Sequence, residues 1–133
     1  GLPEVRRGII AAAGGAFRLA AQLPPKVAME LLLTGDTLSA RDAKDLGLVN
    51  RVVPQDRVLE EAVALAERIA ANAPLAVQAS KRIARGIQDG VVAQEEDRWS
   101  LSHAEARAVM NSADAKEGPR AFAEKRAPVW QAR

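Results

Sequence analysis

Cysteine and tyrosine are absent from this chain, histidine occurs once, and aromatic residues make up only 3% of it. Each shortage removes a class of function. Without thiols there are no disulfides and no thiolate metal sites, a pattern that fits a reducing compartment, and a cytoplasmic location is the expectation. With His103 alone, a multi-histidine metal centre within the chain is excluded. Two Phe and two Trp provide no series of stacking platforms for single-stranded nucleic acid. Charge of one sign is also scarce: 19 Lys and Arg face 17 Asp and Glu, a net charge of +2. So small a field gives no reason to expect a nucleic-acid partner. No apolar run approaches the ~18 residues that a bilayer crossing takes, so no membrane partner is expected either.

What remains is ordinary globular material, 48% hydrophobic and 27% charged in 133 residues, rich in alanine and suited to closely packed helices. Leu2 to Ile10 has an extended flavour around Pro3, followed by a glycine-punctuated loop and a helix over about residues 12–22. Pro24-Pro25 ends that helix and opens the next, KVAMELLLTG, which Gly35 stops. In LSARDAKDLG, Ser39 is the N-cap, Asp42 returns a bond to it, and Gly47 supplies a left-handed stop. LVNRVV, residues 48–53, reads as a short strand between Gly47 and Pro54. Asp56 to Ala71 is an amphipathic helix with Leu59, Val63 and Ile69 on one face and Glu60, Glu61 and Arg68 on the other. Pro74 starts another that runs to Gly90, a further one covers about residues 91–111, and a last short helix begins near Pro119.

The inventory is mainly α, about seven helices with one or two isolated strand pieces. Strands need partners for their backbone groups. Together with an abrupt apolar start that has no initiating methionine or targeting signal, this leads to the expectation of a C-terminal part of a larger protein, lacking an N-terminal half.

Candidate chemistry is sparse. Glu4 sits among Leu2, Val5, Ile9 and Ile10, surroundings that suit a general acid or base; the simpler reading is a solvated loop glutamate beside Arg6 and Arg7. Gly14-Gly15 ahead of a helix brings backbone N–H groups toward an anion or, more simply, allows close packing. His103 has no neighbouring Ser-Asp arrangement and reads as a helix-surface residue, while Trp99 and Trp130 read as packing anchors. Lys116, Arg120, Lys125 and Arg126 make a basic tail that meets phosphates or is merely solvated.

Four blocks together carry a family pattern: LPE…G…GG..RL, then A.ELLLTGD.LSA..A…GLVN.VV, then NAPLAV..SK, and finally DA.EG..AFAEKR.PVW. In register from Gly1 to Trp130, the chain resembles the C-terminal portion of the crotonase superfamily, and specifically its enoyl-CoA hydratases. The middle block marks the superfamily; the LPE and AFAEKR blocks narrow it toward hydratase-type members.

The resemblance implies an α/β fold, a spiral of ββα units followed by trimerisation helices. Residues 1–54 would end the spiral core and residues 55–133 would form the helical oligomerisation region, in a homotrimer or a dimer of trimers. It implies addition of water across the double bond of a 2-trans-enoyl-CoA thioester in fatty-acid or related acyl-chain breakdown, with no prosthetic group. Two glutamates serve that reaction; one matches Glu4, which protonates the α-carbon, while the other glutamate and the oxyanion hole come from sequence preceding this stretch. The isolated chain is thus expected to be catalytically incomplete.

The backbone N–H of Ala12 would position the water, although Ala11-Ala12-Ala13-Gly14-Gly15 replaces the common Pro-Gly-Ala-Gly-Gly. Lys125 matches a lysine that reaches the phosphates of CoA in a neighbouring subunit, and Phe122 packs near the adenine, where Ala106 replaces an aromatic of some relatives. A crotonobetainyl-CoA hydratase, a steroid side-chain enoyl-CoA hydratase and an enoyl-CoA isomerase are the rival activities. An oligomerisation module without activity of its own is the rival of another class.

Overall fold

The computed structural model describes residues 1–133 and falls into two compact units, one of Gly1–Asn50 with Asp97–Arg133, the other of Arg51–Glu96. No helix is long and apolar enough to cross a membrane.

The first unit opens on a 3₁₀ turn, Pro3–Arg7, where an extended segment was expected. Proline in the first turn has its φ preset for a helix and no N–H to leave unpaired. Gly8, at φ 71°, closes the turn and donates its N–H back to Glu4 and Val5. Helix α1 (Gly15–Gln22) follows the glycine loop. The chain then extends through Leu23, and Pro25 opens α2 (Pro25–Thr34), whose left-handed cap Gly35 donates to the Leu31 carbonyl at 3.0 Å. In α3 (Ala40–Asp45) the Asp42 N–H donates to Ser39 Oγ at 3.1 Å, and that hydroxyl donates to Asp42 Oδ2 at 2.6 Å. The cap read from the sequence is present.

Leu23, Ala28 and Leu31 are the buried centre of this unit, with Leu19, Val27, Leu38, Leu46 and Leu48 packed against them. Leu48 explains why LVNRVV is not the expected strand. Its N–H and that of Val49 both turn back to the Ala43 carbonyl, at 2.8 and 3.2 Å, and no second strand lies beside the segment. A run with strand composition but no ladder partner satisfies its backbone locally instead.

Helices α6 (Glu96–Met110) and α7 (Asp114–Ala123) complete the unit. Helix α7 begins five residues before Pro119, which lies inside it. Ser112 Oγ accepts the Ala115 N–H at 3.1 Å, and Asp114 and Glu117 place negative charge in the first turn, so the start is secured upstream of the proline.

In the second unit a 3₁₀ turn (Gln55–Arg57) leads into α4 (Val58–Ala70), followed by α5 (Pro74–Arg85). Gly86, at φ 62°, ends α5 earlier than the expected limit at Gly90. The intervening residues form a small antiparallel hairpin, β1 (Ile87–Gln88) against β2 (Val91–Val92), with Ile87 opposite Val92. Both turn residues, Asp89 and Gly90, have positive φ, as a two-residue hairpin of matching twist demands. None of residues 51–96 is buried, and Leu59, Leu75 and Ile83 are 76%, 77% and 82% exposed.

Candidate functional site

Glu4 is carried by the Pro3–Arg7 turn, and its placement decides between the two readings left open by the sequence. One carboxyl oxygen, Oε2, is enclosed and has no hydrogen-bond partner. The two arginines that follow it face elsewhere. Arg6 Nε donates to the Thr34 carbonyl at 2.8 Å and its guanidinium pairs with Asp36, which moors the turn to the end of α2. The Arg7 guanidinium lies 3.8 Å over the centre of the Phe122 ring on α7. An enclosed polar atom without a partner costs about 1–3 kcal/mol, so natural folds keep few of them and tend to keep them where chemistry is done.

Helix α7 also holds the turn through close backbone contact. A Cβ on Gly118 would overlap the carbonyl of Arg7, and one on Gly8 would overlap the carbonyl of Asp114. Only glycine at both places lets the turn and the helix touch. Trp130 also lies beside Gly8, a packing role in keeping with its sequence reading.

Ala12 lies in the loop between this turn and α1. Its N–H donates to the Ile10 carbonyl at 2.8 Å, and its own carbonyl accepts the Ser102 hydroxyl of α6 at 3.0 Å. The donor expected to hold a water is therefore engaged within the loop. Gly14 rests against the Trp99 ring and Gly15 against Ala11 and Leu2, so close packing is what this glycine pair provides. His103 is exposed on α6 with its ring 5.6 Å from that of Trp99.

Phe122 and Lys125 sit at the end of α7. Phe122 is 62% exposed even with Arg7 against it. Lys125 has φ 53°, a left-handed conformation usually left to glycine. Its N–H donates to the Phe122 carbonyl at 3.2 Å and the Arg126 N–H donates to Ala121 at 3.0 Å, the paired bonds of a Schellman helix stop. Arg126 fixes this turn by donating to Glu117 Oε1 at 2.5 Å and to Glu124 Oε2 at 2.6 Å. The Arg126 hydrogen bond and the Val129 N–H hold the Glu117 carboxyl down to about 2. Arg120 and then Arg126 lower Glu124, while Glu117 and Glu124 raise Arg126. Of the basic tail, Arg120 and Arg126 are thus committed to carboxylates, and Lys125 and Lys116 have no acidic partner.

The turn that bears Glu4 meets Phe122 through Arg7, and Lys125 shares the end of α7 with Phe122; Ala12 is held separately by α6. Ser102, Arg7, Gly118 and Glu117 were not singled out from the sequence. A helix serine, a loop arginine or a glycine before proline carries no local mark of the distant group it meets. No three His, Asp or Glu side chains converge in a way that would hold a metal ion.

Known proteins share this fold. The sequence model of the family described as enoyl-CoA hydratase/isomerase matches residues 1–133. A carnitinyl-CoA dehydratase of Salmonella typhi is 44% identical over 134 residues, covering 99% of this chain and 51% of the relative. An enoyl-CoA hydratase of Mycobacterium tuberculosis is 44% identical over 133 residues, covering 100% of this chain and 49% of the relative. The solved structure of a carnitinyl-CoA dehydratase from Mycobacterium avium 104 superposes with a TM-score of 0.98 at 65% identity, over 100% of this chain and 52% of that one. The chain spans about half the length of the curated relatives it matches. Its helices and the Glu4 turn are those of a crotonase fold, and the chain belongs to the enoyl-CoA hydratase/isomerase family.

Proposed function

We propose that the protein containing this chain is a hydratase-type enzyme that adds water across the double bond of a 2-trans-enoyl-CoA thioester. The observation that carries the proposal is the enclosed, unpartnered Oε2 of Glu4. Hydration requires one proton to leave the attacking water as its oxygen bonds to the β-carbon, and one to reach the α-carbon. Two carboxyl groups divide these transfers, Glu4 giving its proton to the α-carbon and a second carboxylate, outside these residues, accepting the proton of water. Negative charge meanwhile moves to the thioester oxygen, where backbone N–H donors, also outside these residues, stabilise the enolate. The Ala12 N–H, now donating to Ile10, is shared with or released to the water that it positions.

The end of α7 fits the CoA moiety. Lys125 supplies an uncommitted ammonium for phosphate, and the open face of Phe122 supplies a surface for the adenine. In this reading CoA comes from a neighbouring subunit of a homotrimer or dimer of trimers in the cytoplasm, residues 1–54 close the spiral core, and residues 55–133 assemble the subunits. The exposed apolar side chains of α4 and α5 support the last assignment.

The test is Glu4→Gln in the full-length gene product, followed by the loss of enoyl-thioester absorbance of crotonyl-CoA. Removal of a general acid lowers kcat by about 10²–10⁴-fold, and normal turnover would overturn the role of Glu4. A second acyl group has specific support, because relatives at 44% and 65% identity are named carnitinyl-CoA dehydratases. A kcat/KM for crotonobetainyl-CoA well above that for crotonyl-CoA assigns the enzyme to that substrate; the reverse ratio assigns it to simple acyl chains.

A further inference from the structure

We infer that Ser102 is a positioning residue for the loop that bears Ala12 and, through that loop, for the turn that bears Glu4. It is the one buried polar residue of the chain, and its hydroxyl leaves its own helix to donate to a carbonyl 90 residues earlier. A helix serine ordinarily bonds back to its own preceding turn or to water. Spending a buried hydroxyl on the Ala12 carbonyl fixes a loop that has few bonds of its own.

A relay of backbone bonds connects this contact to Glu4. The Ile9 N–H donates to the Glu4 carbonyl at 3.2 Å, the Ala12 N–H donates to the Ile10 carbonyl at 2.8 Å, and the Ala12 carbonyl takes the Ser102 hydroxyl at 3.0 Å. Both peptide groups flanking the Ala12 Cα are thereby held. Across a trans peptide the N–H points opposite to the C=O, so the bond from Ser102 also aims the Ala13 N–H away from α6. Trp99, one turn earlier on α6, supports the same loop: its ring packs edge-on against Phe17 at 5.0 Å and rests against Gly14. Helix α6 thus presents one hydroxyl and one ring to the segment from Ala11 to Gly15.

The inference rests on the hydratase reading for its catalytic consequence, and its test separates the two. In the full-length gene product, Ser102→Ala is compared with Leu31→Val, which loosens the core around α2 and leaves the loop bond intact. Both are assayed well below their melting temperatures, and amide exchange is followed in residues 11–15 and 25–34. For Ser102→Ala the expected result is exchange about 10-fold faster in residues 11–15 only, with kcat lowered about 10-fold or more and KM changed less than about 2-fold. Leu31→Val speeds exchange in residues 25–34 and leaves kcat unchanged. Unaltered exchange in residues 11–15 overturns the inference, as does a kcat within 2-fold of the parent, or an equal loss in Leu31→Val. Faster loop exchange in Ser102→Ala, when the parent protein itself turns over no enoyl-CoA, would sink the hydratase reading while keeping the hold of Ser102 on the loop.

Discussion

Helices α2 and α5 begin alike, each with proline in its first turn, and each ends on a left-handed glycine, yet they meet different fates. In α2, Ala28 and Leu31 are buried in the cluster around Leu23; in α5 nothing is buried and Leu75 and Ile83 stand in the open. Local signals write a helix equally well in both units. Packing is what differs, and it concentrates around Leu23, Ala28 and Leu31.

The largest expected effect is on that packing. Leu31→Ala empties a site that is 8% exposed and costs about 2–5 kcal/mol in chemical denaturation. Ile83→Ala, at 82% exposure, changes the stability of the isolated chain by less than about 0.5 kcal/mol. A large cost for Ile83→Ala that grows with protein concentration would show that the second unit acquires its packing from other chains. Gly118→Ala comes next: the added methyl meets the Arg7 backbone, and overpacking of this kind costs up to about 3 kcal/mol, with the Pro3–Arg7 turn displaced in a crystal structure of the variant.

Lys125→Gly is expected to act in opposite directions on two readouts. Relief of the left-handed lysine stabilises the first unit by up to about 1 kcal/mol, while the loss of the ammonium weakens binding of a CoA thioester. If the variant gains stability and keeps its CoA affinity, Lys125 has no part in binding. The smallest effect follows pH. The Glu117 carboxyl is depressed from 4.5 to about 2 in the folded chain, so its contribution is complete above 4.5 and is lost as pH falls through that interval toward 2. Protection from amide exchange over residues 117–129, taken relative to the intrinsic rate at each pH, should fall there, and Glu117→Gln should reduce that pH dependence.

The parts of this fold legible in the sequence are those decided by neighbours along the chain. Ser39 with Asp42, the break at Pro24-Pro25 and the stop at Gly35 each act within one turn of helix, and each is found as read. The Asp89-Gly90 hairpin was also written locally, but a helical pattern continued across Gly86 concealed it. LVNRVV failed differently, since its composition is that of a strand and only the absence of a neighbour decides otherwise. For the site, Glu4 stood out as a candidate, whereas its isolation from Arg6 depends on Thr34 and Asp36, some 30 residues away. Ser102 was illegible for the same reason: its partner lies 90 residues earlier.

The Arg7–Phe122 stack carries a further consequence. A guanidinium already covers one side of that ring, so any flat heterocycle can join it from the opposite side only, as the third layer of a cation–ring–base stack. Any heterocycle bound at the end of α7 would therefore be held from one side, and the cation beneath the ring belongs to the turn that bears Glu4.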